Sequence, residues 1–216
     1  MTDIDKVPRA PFAAAAKHCF HTVFHPFDGF ADVHWYNYGN EYFCAVILFA
    51  FFLVNVFDQV LTGLIFNTYN PDRISVPSIF LISVGGFAIV YLANWAISSL
   101  MFTEGTNRGI LVVLSYSLIP WCITELLWIF VSNFANLEIQ PFMTALRVIG
   151  LLWAGALLLI GMLSIHQLSF GGTLLNILLT VIGVLVVLFL LLLGYMLVQQ
   201  ITTFVRTIYN EIMFRL

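Results

Sequence analysis

The sequence predicts an all-α protein, a polytopic membrane bundle of five transmembrane helices with an amphipathic interfacial helix at each end. Composition is the first reason, because 61% of the 216 residues are apolar and only 9% are charged, whereas about a quarter of a soluble domain is charged. The second reason is that five apolar runs each reach the roughly 20 residues that a helix needs to cross the hydrocarbon layer. No period-two alternation indicates a membrane barrel.

The five apolar runs divide the chain into three regions. Residues 1–42 form an N-terminal interfacial segment and turn, residues 43–198 form the transmembrane bundle, and residues 199–216 form a C-terminal amphipathic helix. The joints between the runs are short, so neighbouring helices are expected to be antiparallel. The predicted spans are Phe43–Phe66, Ser78–Met101, Ile110–Val131, Phe142–Ile165 and Leu174–Val198.

The N-terminal region is predicted to hold one amphipathic helix followed by a turn. Apolar residues from Phe12 to Phe24 recur at helical spacing with polar residues on the other faces, which is typical of a helix on the membrane surface. This helix should end before Pro26. Asp28 and Gly29 favour a turn, and Asn40 suits the cap of the first span. The predicted turn consists of Pro26, Phe27, Asp28, Gly29 and Phe30.

The last span is predicted to continue into the C-terminal amphipathic helix. Arg206, Asn210 and Glu211 lie on the polar side of this segment. The opposite side is an apolar stripe at helical spacing, which predicts a helix in the membrane interface. The stripe consists of Ile201, Phe204, Val205, Ile208 and Ile212.

Three ionisable residues lie inside the predicted spans, where charge is costly and marks candidate functional positions. Asp58, Glu125 and Arg147 each lie nearest the end of their span that faces the same side of the membrane. We therefore expect Arg147 to pair with one or both carboxylates. The cluster is either a structural lock between helices, which we favour, or a site that responds to protons or a ligand.

Small residues and one proline mark positions where helices can approach or bend. Gly150 and Ala154 are four residues apart, a spacing that permits close contact between membrane helices. Pro120 lies inside the third span and should kink or loosen that helix, because it has no N–H for the helical ladder.

Motifs and composition argue against several classes of function. No short motif of a hydrolase, a metalloprotease or a nucleotide-binding protein occurs, so we expect no catalytic residue and no enzyme activity. The three cysteines lie far apart in apolar sequence and predict no disulfide or zinc site. His18, His21 and His25 are interpreted as part of a polar helix face, so neither a metal nor another cofactor is expected. The net charge of −3 is scattered, which excludes nucleic acid as a partner.

Short polar patterns recur around the ends of the predicted spans. In their order and placement they resemble the Yip domain family of Ypt/Rab-interacting membrane proteins, and in particular its short prokaryote-like branch. The resemblance extends over nearly the whole chain. The patterns are His25–Phe30 with Asp32 and Tyr36, Thr62–Asn67, Ala93–Trp95, Glu104–Thr106, Ser115–Tyr116 with Pro120, Ser132–Asn133, Trp153, His166–Gln167, Gln199–Gln200 and Tyr209–Glu211 with Arg215.

The resemblance implies a five-span protein that acts through partner binding and membrane shaping, with a cytosolic N-terminus and no catalytic residues. We expect a membrane scaffold or accessory subunit in a bacterial-type plasma membrane, surrounded by lipids and other integral membrane proteins. The permease of an ABC-type solute importer is one partner that the resemblance suggests. Two alternatives stay open: a small transporter or channel that uses the Asp58, Glu125 and Arg147 cluster, and a protein that organises lipids or shapes the membrane.

Overall fold

The structure is a computed structural model that describes residues 11–36, 38–69, 74–101 and 103–215. These ranges contain seven principal helices and no strand. Residues 1–10 of the predicted N-terminal region lie outside the described residues. The helices are α1 (Phe12–Phe24), α2 (Pro26–Tyr36), α3 (Glu41–Leu61), α4 (Val76–Leu100), α5 (Asn107–Ser132), α6 (Gln140–His166) and α7 (Phe170–Arg215).

The predicted bundle of five transmembrane helices is confirmed. In the described part of the chain, α3 to α7 are the helices long and apolar enough to cross a membrane. They alternate in direction, so α3, α5 and α7 begin on one side of the bundle, called here the first side, and end on the second side. Asn40 caps α3, since its Oδ1 accepts hydrogen bonds from the backbone N–H groups of Tyr42 and Phe43 at 2.9 and 3.2 Å.

Helix α5 is the centre of the bundle. Half of its most apolar 18-residue stretch is buried, whereas 6% of the corresponding stretch of α7 is buried. Helix α5 packs mainly against α3 and α6, and α7 packs mainly against α4. Val112, Val113 and Tyr116 of α5 are fully buried in the main core. This arrangement leaves α3, α4 and α6 around the same central helix, and it positions the candidate site described below.

Helix α4 contains a π-helical turn, which the sequence analysis did not predict. The turn covers Leu81–Gly85 and separates two α-helical parts. Ser83 lies in it and donates a hydrogen bond to the carbonyl oxygen of Ile79 at 2.7 Å. Such π turns widen a helix by one residue and are frequent at functional sites.

The predicted turn at Pro26, Phe27, Asp28, Gly29 and Phe30 is wrong, because these residues form the beginning of helix α2. Proline at the first helical position loses no hydrogen bond, and an acidic residue in the first turn is favourable there. Gly29 allows close packing between α1 and α2 and does not form a turn. A Cβ built on it would overlap Thr22 of α1, so glycine lets the two helices approach closely.

Helix α1 lies against the bundle, with part of its polar side buried and part of its apolar side exposed, which differs from the predicted arrangement. His18 and Thr22, expected on its polar outer face, are buried, whereas Phe20 is 69% exposed. The carbonyl oxygen of Val23 accepts a hydrogen bond from Nε1 of Trp153 at 3.2 Å, and Trp153 lies midway along α6. Backbone polar groups away from water require such partners, and this requirement favours docking of the helix.

Candidate functional site

The three ionisable residues predicted to cluster lie together where α3, α5 and α6 meet. Arg147 of α6 donates from Nε to Oε2 of Glu125 at 2.6 Å and from Nη2 to Oδ1 of Asp58 at 3.0 Å. We call these three residues the charge cluster. Each nitrogen contacts a different helix, so one guanidinium connects three transmembrane helices through charge-assisted hydrogen bonds.

Further side chains hold the charge cluster in place. The guanidinium carbon of Arg147 lies 4.0 Å from the ring centre of Trp128, within the range of a cation–π interaction. Thr62 donates a hydrogen bond to Oδ1 of Asp58 at 3.1 Å. The exposed fractions are 7% for Glu125, 17% for Asp58 and 28% for Arg147. The cluster is therefore deepest at Glu125 and most accessible at Arg147.

The segment after α3 covers the charge cluster on the second side. The N–H of Gly63 donates to Oγ of Ser132 at 2.9 Å, and Nδ2 of Asn133 donates to the carbonyl oxygen of Leu61 at 2.9 Å. A Cβ on Gly63 would overlap the backbone of Ser132. Phe66 packs edge-on against the ring of Trp128, at 5.9 Å between ring centres. This segment, residues 62–69, is held to α5 and we call it the covering loop.

A polar cavity of about 290 Å³ lies between the charge cluster and the covering loop. Its two carboxylates and one guanidinium carry a formal charge of −1, so the described part of the cavity attracts a cation or a hydrogen-bond donor more than an anion. The carboxylates, the Thr62 hydroxyl and side-chain amides are the groups that a ligand would meet. The lining residues are Asn55, Asp58, Thr62, Phe66, Asn67, Thr68, Tyr69, Trp121, Glu125, Trp128 and Arg147.

A second group of polar side chains, which the sequence analysis missed, lies toward the first side of the bundle. Nδ2 of Asn94 donates to Oδ1 of Asn176 at 2.9 Å and to Oγ1 of Thr180 at 3.0 Å. Oγ of Ser98 lies 3.3 Å from Nε2 of His166. All five side chains are buried, and we call them the uncharged polar cluster. In the sequence, the two asparagines inside apolar runs, Asn94 and Asn176, could have indicated this cluster, because polar side chains form hydrogen bonds between membrane helices.

The remaining predicted positions have separate roles. Gly150 lies at a contact between α6 and α5, because a Cβ there would overlap Thr124. Ala154 lines a different cavity, between α3, α4, α5 and α6. Helix α5 continues as one helix through Pro120, and Thr124 donates a hydrogen bond to the carbonyl oxygen of Pro120 at 3.1 Å.

Several of the patterns that carry the family resemblance lie at these sites. Thr62–Asn67 forms most of the covering loop and Ser132–Asn133 anchors it. Asn94 and His166 belong to the uncharged polar cluster. Gly105 lies directly against His166, because a Cβ on this glycine would overlap the imidazole ring. Each of these patterns thus marks a polar or close contact between helices.

Comparison with known proteins identifies the family. The Yip1 domain matches residues 20–193, a range that contains the charge cluster, the covering loop and the uncharged polar cluster. Comparisons with curated proteins and with solved structures gave no match. The matched range covers most of the chain and confirms the resemblance noted in the sequence. This integral membrane protein therefore belongs to the Yip1 domain family.

Proposed function

We propose that this protein is a non-enzymatic membrane scaffold or accessory subunit, and that the C-terminal half of α7 is its partner-binding element. One observation carries the proposal: every residue from Leu188 to Phe214 is exposed. At 1.5 Å per residue this part of α7 is about 40 Å long. Its exposed side chains are available for contact with something outside the chain.

The length of α7 favours a protein partner in addition to lipid. Its 46 residues extend about 69 Å, whereas the hydrocarbon layer is about 30 Å thick. Lipid can cover the first part, but a continuous helix would carry the residues after Val198 beyond the hydrocarbon layer. Phe204, Ile212 and Phe214 in that part are 65%, 56% and 91% exposed. Such apolar side chains favour burial against another protein.

The partner proposed here is another integral membrane protein. Polar side chains accompany the apolar ones on this part of α7, as in a helix that binds a groove with one face and leaves the other in water. The family resemblance suggests the permease of an ABC-type solute importer. It also suggests a bacterial-type plasma membrane and a cytoplasmic N-terminus, which would place the end of α7 outside the cytoplasm.

Site-specific photo-crosslinking tests this proposal in intact cells. A photoreactive amino acid at Phe204 should form a discrete adduct with an integral membrane protein, identified as a permease subunit by mass spectrometry. The matched control carries the same amino acid at Leu152, which is 68% exposed on α6 and is not part of the proposed partner-binding element. That control should give only lipid adducts.

Two results separate the proposal from its alternatives. Deletion of residues 199–216 should abolish the permease adduct when the photoreactive residue is placed at Val198. Adducts only with lipid at Phe204, together with a monomer in every mild-detergent preparation, would contradict a subunit role.

A small transporter or channel is the second candidate. Its support is that the charge cluster and the uncharged polar cluster lie toward opposite sides of the same bundle, as binding groups along a path would. Vesicles reconstituted with the protein would then show a flux of protons, ions or sugars that is lost in an Asp58→Asn, Glu125→Gln variant. Absence of flux for all of these solutes would exclude this candidate.

Membrane shaping is the third candidate. Its support is the exposed phenylalanine face of α1, where Phe12, Phe20 and Phe24 are 49%, 69% and 54% exposed. Insertion of such a face into one leaflet favours curvature. The protein should then deform vesicles, and replacement of the three phenylalanines by serine should abolish the deformation.

A further inference from the structure

A second cavity lies next to the polar cavity and has a different character. It has a volume of about 460 Å³ and lies between α3, α4, α5 and α6, within the 300–1,000 Å³ of typical small-molecule sites. Most of its walls are apolar, with Phe51, Phe87 and Leu118 among the lining residues. We call it the apolar cavity. Ile82 and Leu151 on its rim are 76% and 58% exposed, so it opens sideways toward lipid.

Small residues leave the space of the apolar cavity unfilled. Gly86 of α4 and Gly155 of α6 line it, and a Cβ built on either would meet no atom within 4 Å. Ser83 in the π-helical turn also lines it. Larger side chains at the two glycines would occupy the cavity, and close packing ordinarily favours such filling. The vacant space therefore suits a ligand.

The two cavities adjoin at Asn55, which lines both. Nδ2 of Asn55 donates to the carbonyl oxygen of Phe51 at 2.7 Å. Along α6, Arg147 lies in the polar cavity and Gly155 in the apolar one, eight residues or about 12 Å apart. The polar end lies toward the second side and the apolar end toward the middle of the membrane. This is the orientation of a phospholipid in the leaflet on the second side.

We propose that the two adjoining cavities together bind one aminophospholipid, with its ammonium group at the charge cluster and one acyl chain in the apolar cavity. The formal charge of −1 at the cluster selects a headgroup that carries a cation. Phosphatidylethanolamine meets this requirement, whereas phosphatidylglycerol with the same acyl chains has no cation to offer. The sideways opening between α4 and α6 lets the acyl chain enter from the bilayer.

Native mass spectrometry of the full-length protein tests the proposal. The protein is reconstituted in equal mixtures of phosphatidylethanolamine and phosphatidylglycerol and then released in mild detergent. We expect one retained phosphatidylethanolamine per protein, with about tenfold preference over phosphatidylglycerol, as one favourable ionic contact provides. Equal retention of both lipids, or retention of neither, would overturn the proposal.

Two variants separate the charge of the site from its volume. Asp58→Asn changes the formal charge of the cluster from −1 to 0 and should reduce the headgroup preference to about one. Gly155→Leu fills the apolar cavity and should reduce retention of both lipids about tenfold. The matched control is Gly194→Leu on α7, where a Cβ also meets no atom within 4 Å, and it should retain phosphatidylethanolamine as the wild type does.

The control variants keep the result interpretable. Leucine raises helix propensity over glycine, so Gly155→Leu is expected to fold, and Gly86→Leu fills the same cavity from another helix. Retention of phosphatidylethanolamine at wild-type level in both filled variants would overturn the assignment of the acyl-chain site. Because these measurements use the isolated protein, they are independent of whether α7 binds a permease.

Discussion

At the scale of single residues, Arg147 has the most demanding environment in the described part of the chain. Its guanidinium contacts Asp58, Glu125 and Trp128 from three directions. A charge near hydrocarbon is tolerated when it is paired and hydrogen-bonded. The position of Arg147 therefore depends on both carboxylates, and theirs depends on Arg147.

Replacement of Arg147 by leucine should destabilise the wild-type protein more than it destabilises an Asp58→Asn, Glu125→Gln background. In the wild type the change leaves two carboxylates without their partner, at a cost of roughly 3 kcal/mol. In the background no such charge remains. The measurement is thermal unfolding in detergent, and equal losses in the two backgrounds would rule out the pairing as a source of stability.

We predict that His18 makes the docking of α1 sensitive to pH. Burial lowers the pKa of His18 below its ordinary value, and the Asp32 carboxylate at 3.8 Å opposes this only in part. His21, Tyr38 and Tyr116 are the other titratable groups beside it. A folded-state pKa below the unfolded one means that the unfolded chain binds more protons, so stability rises with pH.

The unfolding temperature should therefore fall as the pH decreases from about 7.5 to about 5.5, through the ordinary pKa of histidine. A His18→Gln variant should lose the part of this dependence that His18 contributes, because glutamine does not titrate. The matched control is His21→Gln, which replaces an exposed histidine on the same helix and should change the pH profile less than His18→Gln does. Identical profiles for wild type and His18→Gln would show that another group is responsible.

At the scale of elements, helices α5 and α6 approach closely at one glycine and separate at the next. Gly150 lies against Thr124, whereas Gly155 faces the apolar cavity. The two glycines are a little more than one helical turn apart, so the sequence spacing alone does not distinguish them. Only the position of α5 assigns one to a contact and the other to a space.

Gly150→Ala should destabilise the protein by about 1–3 kcal/mol, because the added methyl group overpacks the contact with Thr124. Gly155→Ala should be neutral or stabilising by up to about 1 kcal/mol, because alanine favours the helix and meets open space. Thermal unfolding of the two variants in detergent compares them directly. A greater loss for Gly155→Ala than for Gly150→Ala would contradict the arrangement of α5 and α6.

At the scale of the whole molecule, α7 has buried residues in its N-terminal half and an exposed C-terminal half. Tertiary contacts of α7 are made with α4 and α6, and they involve its N-terminal half, where Thr173, Asn176 and Thr180 are buried. The C-terminal half has no buried residue between Leu188 and Phe214. Stability and the proposed partner binding thus involve different parts of one helix.

Deletion of residues 199–216 should change the stability of the isolated bundle by less than about 0.5 kcal/mol, because only exposed side chains are lost from the described part of the segment. The measurement is the unfolding temperature of the truncated protein in detergent. A large decrease would show that the end of α7 folds back onto the bundle, and this would remove the basis for a partner-binding element.

The sequence by itself determined the fold class, the number of spans and the residues of the charge cluster. Helix length is set by the thickness of the hydrocarbon layer, so apolar runs are sufficient to identify spans. Charge inside a span is costly and therefore conspicuous. Asp58, Glu125 and Arg147 could be named for this reason, and their common side follows from counting residues along antiparallel helices.

Only the tertiary structure decided what depends on contacts between distant residues. Pro26 to Gly29 combine proline, aspartate and glycine, which suit a turn as well as the first turn of a helix, and packing of Gly29 on Thr22 favours the helix. The covering loop, the uncharged polar cluster and the apolar cavity arise where three or four helices meet. Hydrophobic periodicity indicates which residues are buried away from water. It does not indicate which helix they contact or where a cavity remains between helices.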